Sequence, residues 1–216
     1  MLDENELQEQ IYFHANGFSH PNLIIITNKD NAHFSEIMQW GLMPGWKKPL
    51  ADMLKLSNNT HNAKSETVFD LASFKGSIMT KRCMLPVDGF YEYKEVGKDK
   101  LPYLIHPKNH PFFNVACIYA HYQDPENAVW YKTFSILTGK ANELMADIHN
   151  TKFRQPIVIN DHQIGAWLDP STSKEEVIHI MEPCDDSQMA AYRVSRDLIK
   201  IGNQPQAMDD FRDSLF

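Results

Sequence analysis

Apolar and polar positions divide this chain into two regimes. Up to residue 137 the apolar runs are short, rich in β-branched and aromatic residues, and bounded by turn formers. That pattern predicts strands over Asn22–Thr27, Ile78–Val87, Phe90–Lys94, Pro102–His106, Pro111–Tyr119 and Trp130–Leu137. The breaks carry turn chemistry, as in Asp88-Gly89, Val96-Gly97-Lys98-Asp99 and Asp124-Pro125. Beyond them the period lengthens to that of a helix over Ala141–His149, Asp161–Leu168 and Ser173–Met181. In the last, Ser173 stands ahead of Glu175 and Glu176, as at a helix start. Strands first and helices afterwards predict an α+β fold with a largely antiparallel sheet.

Composition narrows the class. The chain has 216 residues, is 43% hydrophobic and 23% charged, and shows no repeat or linker, so a single domain over 1–216 is expected. No apolar run reaches the roughly 18 residues of a membrane span, and MLDENELQEQ has no signal-peptide pattern. Three cysteines without a CxxC pair fit reduced thiols in a cytoplasmic protein. The net charge of −7 argues against a generic nucleic-acid binder. Its distribution is uneven: Trp40 to His110 carries +4 and the remainder −11, which leaves room for a local anion site or for ordinary surface scatter.

Three polar islands stand inside apolar sequence: NAKSET (Asn62–Thr67), VDGFYEY (Val87–Tyr93) and ADIHNTKFRQP (Ala146–Pro156). On a strand, Glu92 shares a face with Phe90 and opposes Tyr91 and Tyr93. It is then either a partly desolvated carboxylate suited to acid–base work or an edge-strand residue facing water. His149 closes a helix pattern, where it is either a general acid or base or a residue satisfied by the helix dipole. Asn62 reads as a turn former or as an amide suited to orienting a reacting group. Between Gly and Pro turns, Trp40 and Trp46 offer either rings packed over a loop, the better reading for Trp40, or a stacking surface for exposed bases. No metal-ligand spacing is present, and no cofactor is indicated.

Together the motifs resemble one family. WGLMPGW, NAKSET, RCMLPVDGFYEY and SILTGKANELMADIH followed by RQPIVI resemble, in order, the WGL-P-W, NAR-ET, RC-P-DGFYEW and T-A--IH-RMPVIL motifs of the SOS response-associated peptidase (SRAP) family. The resemblance covers the chain from about Phe13 onward. It implies a compact α+β fold that shields abasic sites in single-stranded DNA without a metal or cofactor. In the family a cysteine follows the initiator Met and is exposed by autoproteolytic Met removal. Its amine and thiol form a thiazolidine crosslink with the ring-opened sugar.

By motif, Asn62 would orient the amine, Glu92 would assist proton transfer, and His149 would serve as acid and base. Lys64, in place of the family Arg, would meet a phosphate as a point charge, with Thr138 and Arg154 as further phosphate contacts and Trp46 stacking on a base. The partner is then single-stranded DNA with abasic sites, not a membrane, and a monomer is expected.

The chain departs from the pattern at Leu2, where the family has its nucleophilic Cys, and it begins closer to Phe13 than family members do. The expectation is an upstream Met-Cys start, with no crosslinking by the chain as it stands. The rival readings are a non-catalytic single-stranded DNA-binding module and a conventional cysteine peptidase. Other departures are Tyr93 for Trp, Gly139 for a second Thr, His14 for Asn, and a longer stretch from His149 to Pro156.

Overall fold

Apolar residues on both faces of the central strands close the main sheet into a ring. The computed structural model describes residues 11–29 and 32–211. Its strands are β1 (Asn22–Lys29), β2 (Ala32–Trp40), β3 (Asn62–Lys64), β4 (Arg82–Val87), β5 (Phe90–Val96), β6 (Asp99–Pro107), β7 (Phe113–Gln123), β8 (Trp130–Lys140), β9 (Arg154–Pro156), β10 (Val158–Ile159) and β11 (Met189–Arg193). Its α-helices are α1 (Leu50–Ser57), α2 (Glu143–Ile148), α3 (Ile164–Leu168), α4 (Lys174–Ile180) and α5 (Leu198–Ile201).

Strand order β7-β4-β1-β2-β8 returns to β7 through the β7–β8 pairing, so these five strands form a closed mixed barrel. All contacts around it are antiparallel except β2 on β8, and β3 also adds to β8 in parallel. A smaller antiparallel sheet has the order β11-β6-β5.

Alternation along the strands sorts the core into two layers. Leu23, Ile25, Met38, Cys83, Leu85, Val115, Cys117 and Phe134 pack together from the barrel strands. Met84, Ala116, Ile118 and Leu137 point the other way, where Trp167 and Leu168 of α3 and Val177 and Ile180 of α4 cover them. Strands buried on both faces read as continuous apolar runs rather than alternating ones. That is why β4, β7 and β8 were legible from sequence.

Several expectations change. Ile78–Lys81 is not strand. It closes a series of turns, with Ile78 N–H donating to Phe74 O at 3.1 Å and Lys81 N–H to Ser77 O at 2.7 Å. Arg82 then bonds the Ile78 and Met79 carbonyls, at 3.0 and 2.5 Å, and starts β4. The Asp161–Leu168 helix is a short 3-10 turn over Asp161–Gln163 followed by α3. The Ala141–His149 pattern shortens to α2, capped by Asn142, whose side chain accepts from Met145 N–H at 2.9 Å. Ser173 caps α4 as expected. The turn at Gly97 (φ +61°) joins β5 and β6 with Val96 opposite Asp99.

Candidate active site

Two contacts fasten α2 and the loop after it onto β5. Lys94 Nζ of β5 lies 2.7 Å from Asp147 of α2. Asn150 then acts as a strand edge: its Nδ2 donates to Glu95 O at 2.9 Å and its Oδ1 accepts from Glu95 N–H at 3.0 Å. Neither link has a sequence signature, because each joins residues more than fifty positions apart.

Their consequence is a juxtaposition of two of the expected residues. His149 caps the C-terminus of α2, and its Nδ1 stands 3.6 Å from Glu92 Oε1. The nearer partner of Nδ1 is the Arg154 carbonyl oxygen, at 2.9 Å. A carbonyl only accepts, so Nδ1 carries the proton and Nε2 holds the lone pair of the neutral ring. Both side chains are largely shielded, with 16% and 26% exposure for His149 and Glu92. Burial pushes the Glu92 carboxyl above its ordinary range, against smaller opposing effects of His149, the Tyr93 backbone and Lys152.

The faces of β5 fall as the alternation requires. Phe90 tilts against Phe113 at 5.8 Å on the barrel side. Tyr91 and Tyr93 pack with Leu104 and Val194, and the Tyr91 hydroxyl donates to Phe13 O at 2.7 Å. Burial carries the Tyr91 hydroxyl to about 12, so it stays a proton donor to that carbonyl.

Arg154 links this pair to the NAKSET segment. Its guanidinium holds Glu66 in a two-pronged pair at 2.9 and 3.0 Å and donates to Thr138 O at 2.6 Å. The Arg154 bond holds the Glu66 carboxyl down at about 2. Thr138 lies opposite Lys64 in the β3–β8 register. Glu66 was not singled out from sequence, although its place in NAKSET could have marked it.

Asn62 is not in a turn but opens β3, opposite Ile136, with Asn62 and Lys64 exposed on one face and Ala63 buried on the other. The preceding residue fixes its entry: His61 O accepts from Trp40 Nε1 at 2.8 Å and from Ile136 N–H at 2.9 Å. Trp40 therefore does packing work, stacked on Phe134 at 6.1 Å. Trp46 lies elsewhere, half-buried against Met43, Met53 and Tyr122, with Lys48 Nζ 5.2 Å from its ring. Among the described residues no ring contact or hydrogen bond joins Trp46 to the His149 network.

The thiols are poor nucleophiles. Cys83, Cys117 and Cys184 are free and buried. Burial pushes the Cys83 thiol well up and Cys184 to about 11, so neither supplies thiolate near neutral pH. Leu2 lies outside the described residues. Among the described residues no group of three His, Cys, Asp or Glu could hold a metal, and no helix is long and apolar enough to cross a membrane.

Comparison with known proteins gives this geometry a context. A family profile described as SOS response associated peptidase (SRAP) matches residues 3–201. The abasic site processing protein YoqW of Bacillus subtilis is 34% identical over 176 residues, covering 81% of this chain and 75% of its own. The abasic site processing protein HMCES of Gallus gallus is 31% identical, covering 69% of this chain and 49% of its own. A crystal structure of a Bacteroides thetaiotaomicron protein superposes with a TM-score of 0.89 at 34% identity, covering 96% of this chain and 90% of that one. On the four ordered motifs, the barrel they build and these matches, the chain belongs to the SRAP family.

Proposed function

We propose that this chain processes abasic sites, as the names of its relatives state for them, that it does so in single-stranded DNA, and that Asn62, Glu92 and His149 line the reaction pocket. The observation that carries this reading is the shielded His149–Glu92 pair, 3.6 Å apart, whose imidazole has one nitrogen fixed by the Arg154 carbonyl and the other free to exchange protons.

An abasic sugar reacts only after its ring hemiacetal opens. His149 Nε2 takes the anomeric hydroxyl proton and returns a proton to the ring oxygen, giving the aldehyde. A terminal amine held by Asn62 then attacks the aldehyde carbon. Glu92, with its raised affinity for protons, supplies one to the departing water as the imine forms. A thiol on the same residue adds to the imine carbon, its proton passes to nitrogen, and the thiazolidine ring is complete. Lys64, Thr138 and Arg154 meet the strand's phosphates, and Trp46 stacks on a base. For Arg154 this requires the phosphate to exchange with Glu66.

Residue 2 is Leu, and Cys83, Cys117 and Cys184 are buried. Thiazolidine formation therefore requires a Met-Cys N-terminus, and the chain beginning Met1-Leu2 binds abasic strands without forming that link. The second reading is a non-catalytic single-stranded DNA-binding module. A conventional cysteine peptidase is disfavoured by the raised thiols. We further take 1–216 as one domain acting as a cytoplasmic monomer.

Incubation with single-stranded DNA carrying one abasic site, followed by denaturing electrophoresis, tests both readings. The Met1-Leu2 chain should give no shifted band, and a version preceded by a family N-terminal segment beginning Met-Cys should give one. Salt-dependent binding without a covalent product even from that version would establish the binding module instead.

A further inference from the structure

We propose that Phe153 is a stacking platform for the unpaired base next to the abasic sugar, a base-binding element beside the His149–Glu92 pair. This rests on the abasic-site reading above and specifies which part of the strand the site grips.

Phe153 combines three properties that seldom coincide. The residue is exposed, at 56%. Its backbone has φ +52°, a left-handed conformation that is unfavourable for a bulky residue and is usually left to Gly or Asn. Its position is nonetheless fixed on both sides. Phe153 N–H donates to His149 O at 2.9 Å, and Ala141 N–H donates to Phe153 O at 3.0 Å.

The same short loop is pinned to β5 through the two Asn150–Glu95 bonds. A Gly or Asn would satisfy this backbone at lower cost and expose less apolar surface. The sequence instead holds a phenyl ring in water, on a rigid turn whose first residue is His149.

Two exposed lysines lie close to Phe153 along the backbone. Lys152 precedes it and its charge slightly offsets the burial of Glu92. Lys140 lies opposite Arg154 in the β8–β9 register, next to Ala141, which bonds Phe153 O. Single strands are held by exposed aromatics with cations nearby, the bases on the rings and the phosphates on the ammonium groups.

The lesion itself supplies the reason for such a ring. Loss of a base leaves the neighbouring base with one bare π-face. An aromatic side chain beside the reacting sugar can cover that face, and it does so for any base, since each presents a π-surface. This gives affinity at a site where the damaged nucleotide has no base to offer.

The test uses the full chain and single-stranded DNA with a stable tetrahydrofuran abasic analogue. Fluorescent 2-aminopurine is placed on the 5′ or the 3′ side of the lesion. The wild-type protein should quench the probe on one side. Phe153→Gly and Phe153→Asn, both suited to the left-handed backbone, should keep or raise the melting temperature. They should lose the quenching and bind about tenfold more weakly. Phe153→Trp should restore both. Removing the flanking base from the DNA should make wild type and Phe153→Gly bind equally.

If wild type and both folded variants bind base-flanked DNA equally, with equal fluorescence, the stacking role is wrong while the abasic-site reading stands. If the wild type itself fails to bind the abasic strand, the abasic-site reading falls and the stacking role with it.

Discussion

His149 Nδ1 and Glu92 Oε1 stand 3.6 Å apart although the residues are carried by different elements, the end of α2 and the middle of β5. The separation is too long for a strong hydrogen bond, and the Arg154 carbonyl at 2.9 Å takes that place. The arrangement leaves the carboxylate without a strong partner in a shielded setting, which is what raises its proton affinity. Stability and function are therefore opposed at Glu92.

The sign of that opposition can be measured. A carboxyl whose folded pKa is raised is easier to bury protonated. The unfolded chain ionises first as pH rises, so stability falls between the ordinary carboxylate pKa and the raised one and stays lower above it. Glu92→Gln removes this penalty. Its melting temperature should match or exceed wild type at pH 7, with the gap closing below about pH 4. The same variant should slow crosslinking by a Met-Cys-bearing chain by ~10²-fold or more. A variant clearly less stable than wild type at pH 7 would contradict the assignment.

Asn150 acts on this pair from a distance. Asn150→Ala leaves the Glu95 N–H and C=O without their partner and should cost about 1–2 kcal/mol, read as a lower urea midpoint with unchanged slope. Because the loop then loosens from β5, the pH profile of crosslinking should also shift. Unchanged pH dependence would mean that the Asn150 tie is not what holds His149 against Glu92.

Glu66 restrains the Arg154 guanidinium. Glu66→Gln breaks the two-pronged pair and frees Arg154 for phosphate. The slope of log affinity against log salt for single-stranded DNA should steepen by about 0.7, the increment for one more phosphate contact. The pair's contribution to stability is present above the ordinary carboxylate pKa and is lost as pH falls from there toward about 2. Glu66 is 43% exposed, so solvent screens much of that contribution.

Native thiol reactivity separates the family reading from a conventional cysteine peptidase. Cys83, Cys117 and Cys184 should label slowly with a thiol reagent in the folded protein and rapidly in denaturant. Fast labelling of one of them in the native state would reopen the peptidase reading.

Much of this was legible in the sequence, for identifiable reasons. The doubly buried strands β4, β7 and β8 advertised themselves by composition, and the facing of Phe90 against Tyr91 and Tyr93 followed from period 2. β2 was not legible, because Ala32, His33, Phe34 and Ser35 are exposed and carry no apolar alternation. It is a strand because β1 pairs with it along its whole length. β3 is only three residues long, and its parallel partner β8 lies more than seventy positions away. Likewise α1 and β11 rest on tertiary packing rather than on strong local signals, as Met53 and Met189 show by their complete burial. In the site, the motifs supplied the residues, but the distances between them depend on the Asn150 side chain bonding the Glu95 backbone and on the Arg154 carbonyl, long-range partners that the motifs do not encode.

Covalent capture of an abasic strand tests the central claim most directly. A chain preceded by a family segment beginning Met-Cys is mixed with single-stranded DNA carrying one abasic site, and the heat-stable adduct is quantified on a denaturing gel. The account expects an adduct that forms slowly in Asn62→Ala, Glu92→Gln and His149→Ala and is absent from the Met1-Leu2 chain. Adduct formation at the wild-type rate in all three variants, or its complete absence from the Met-Cys chain, would contradict the account.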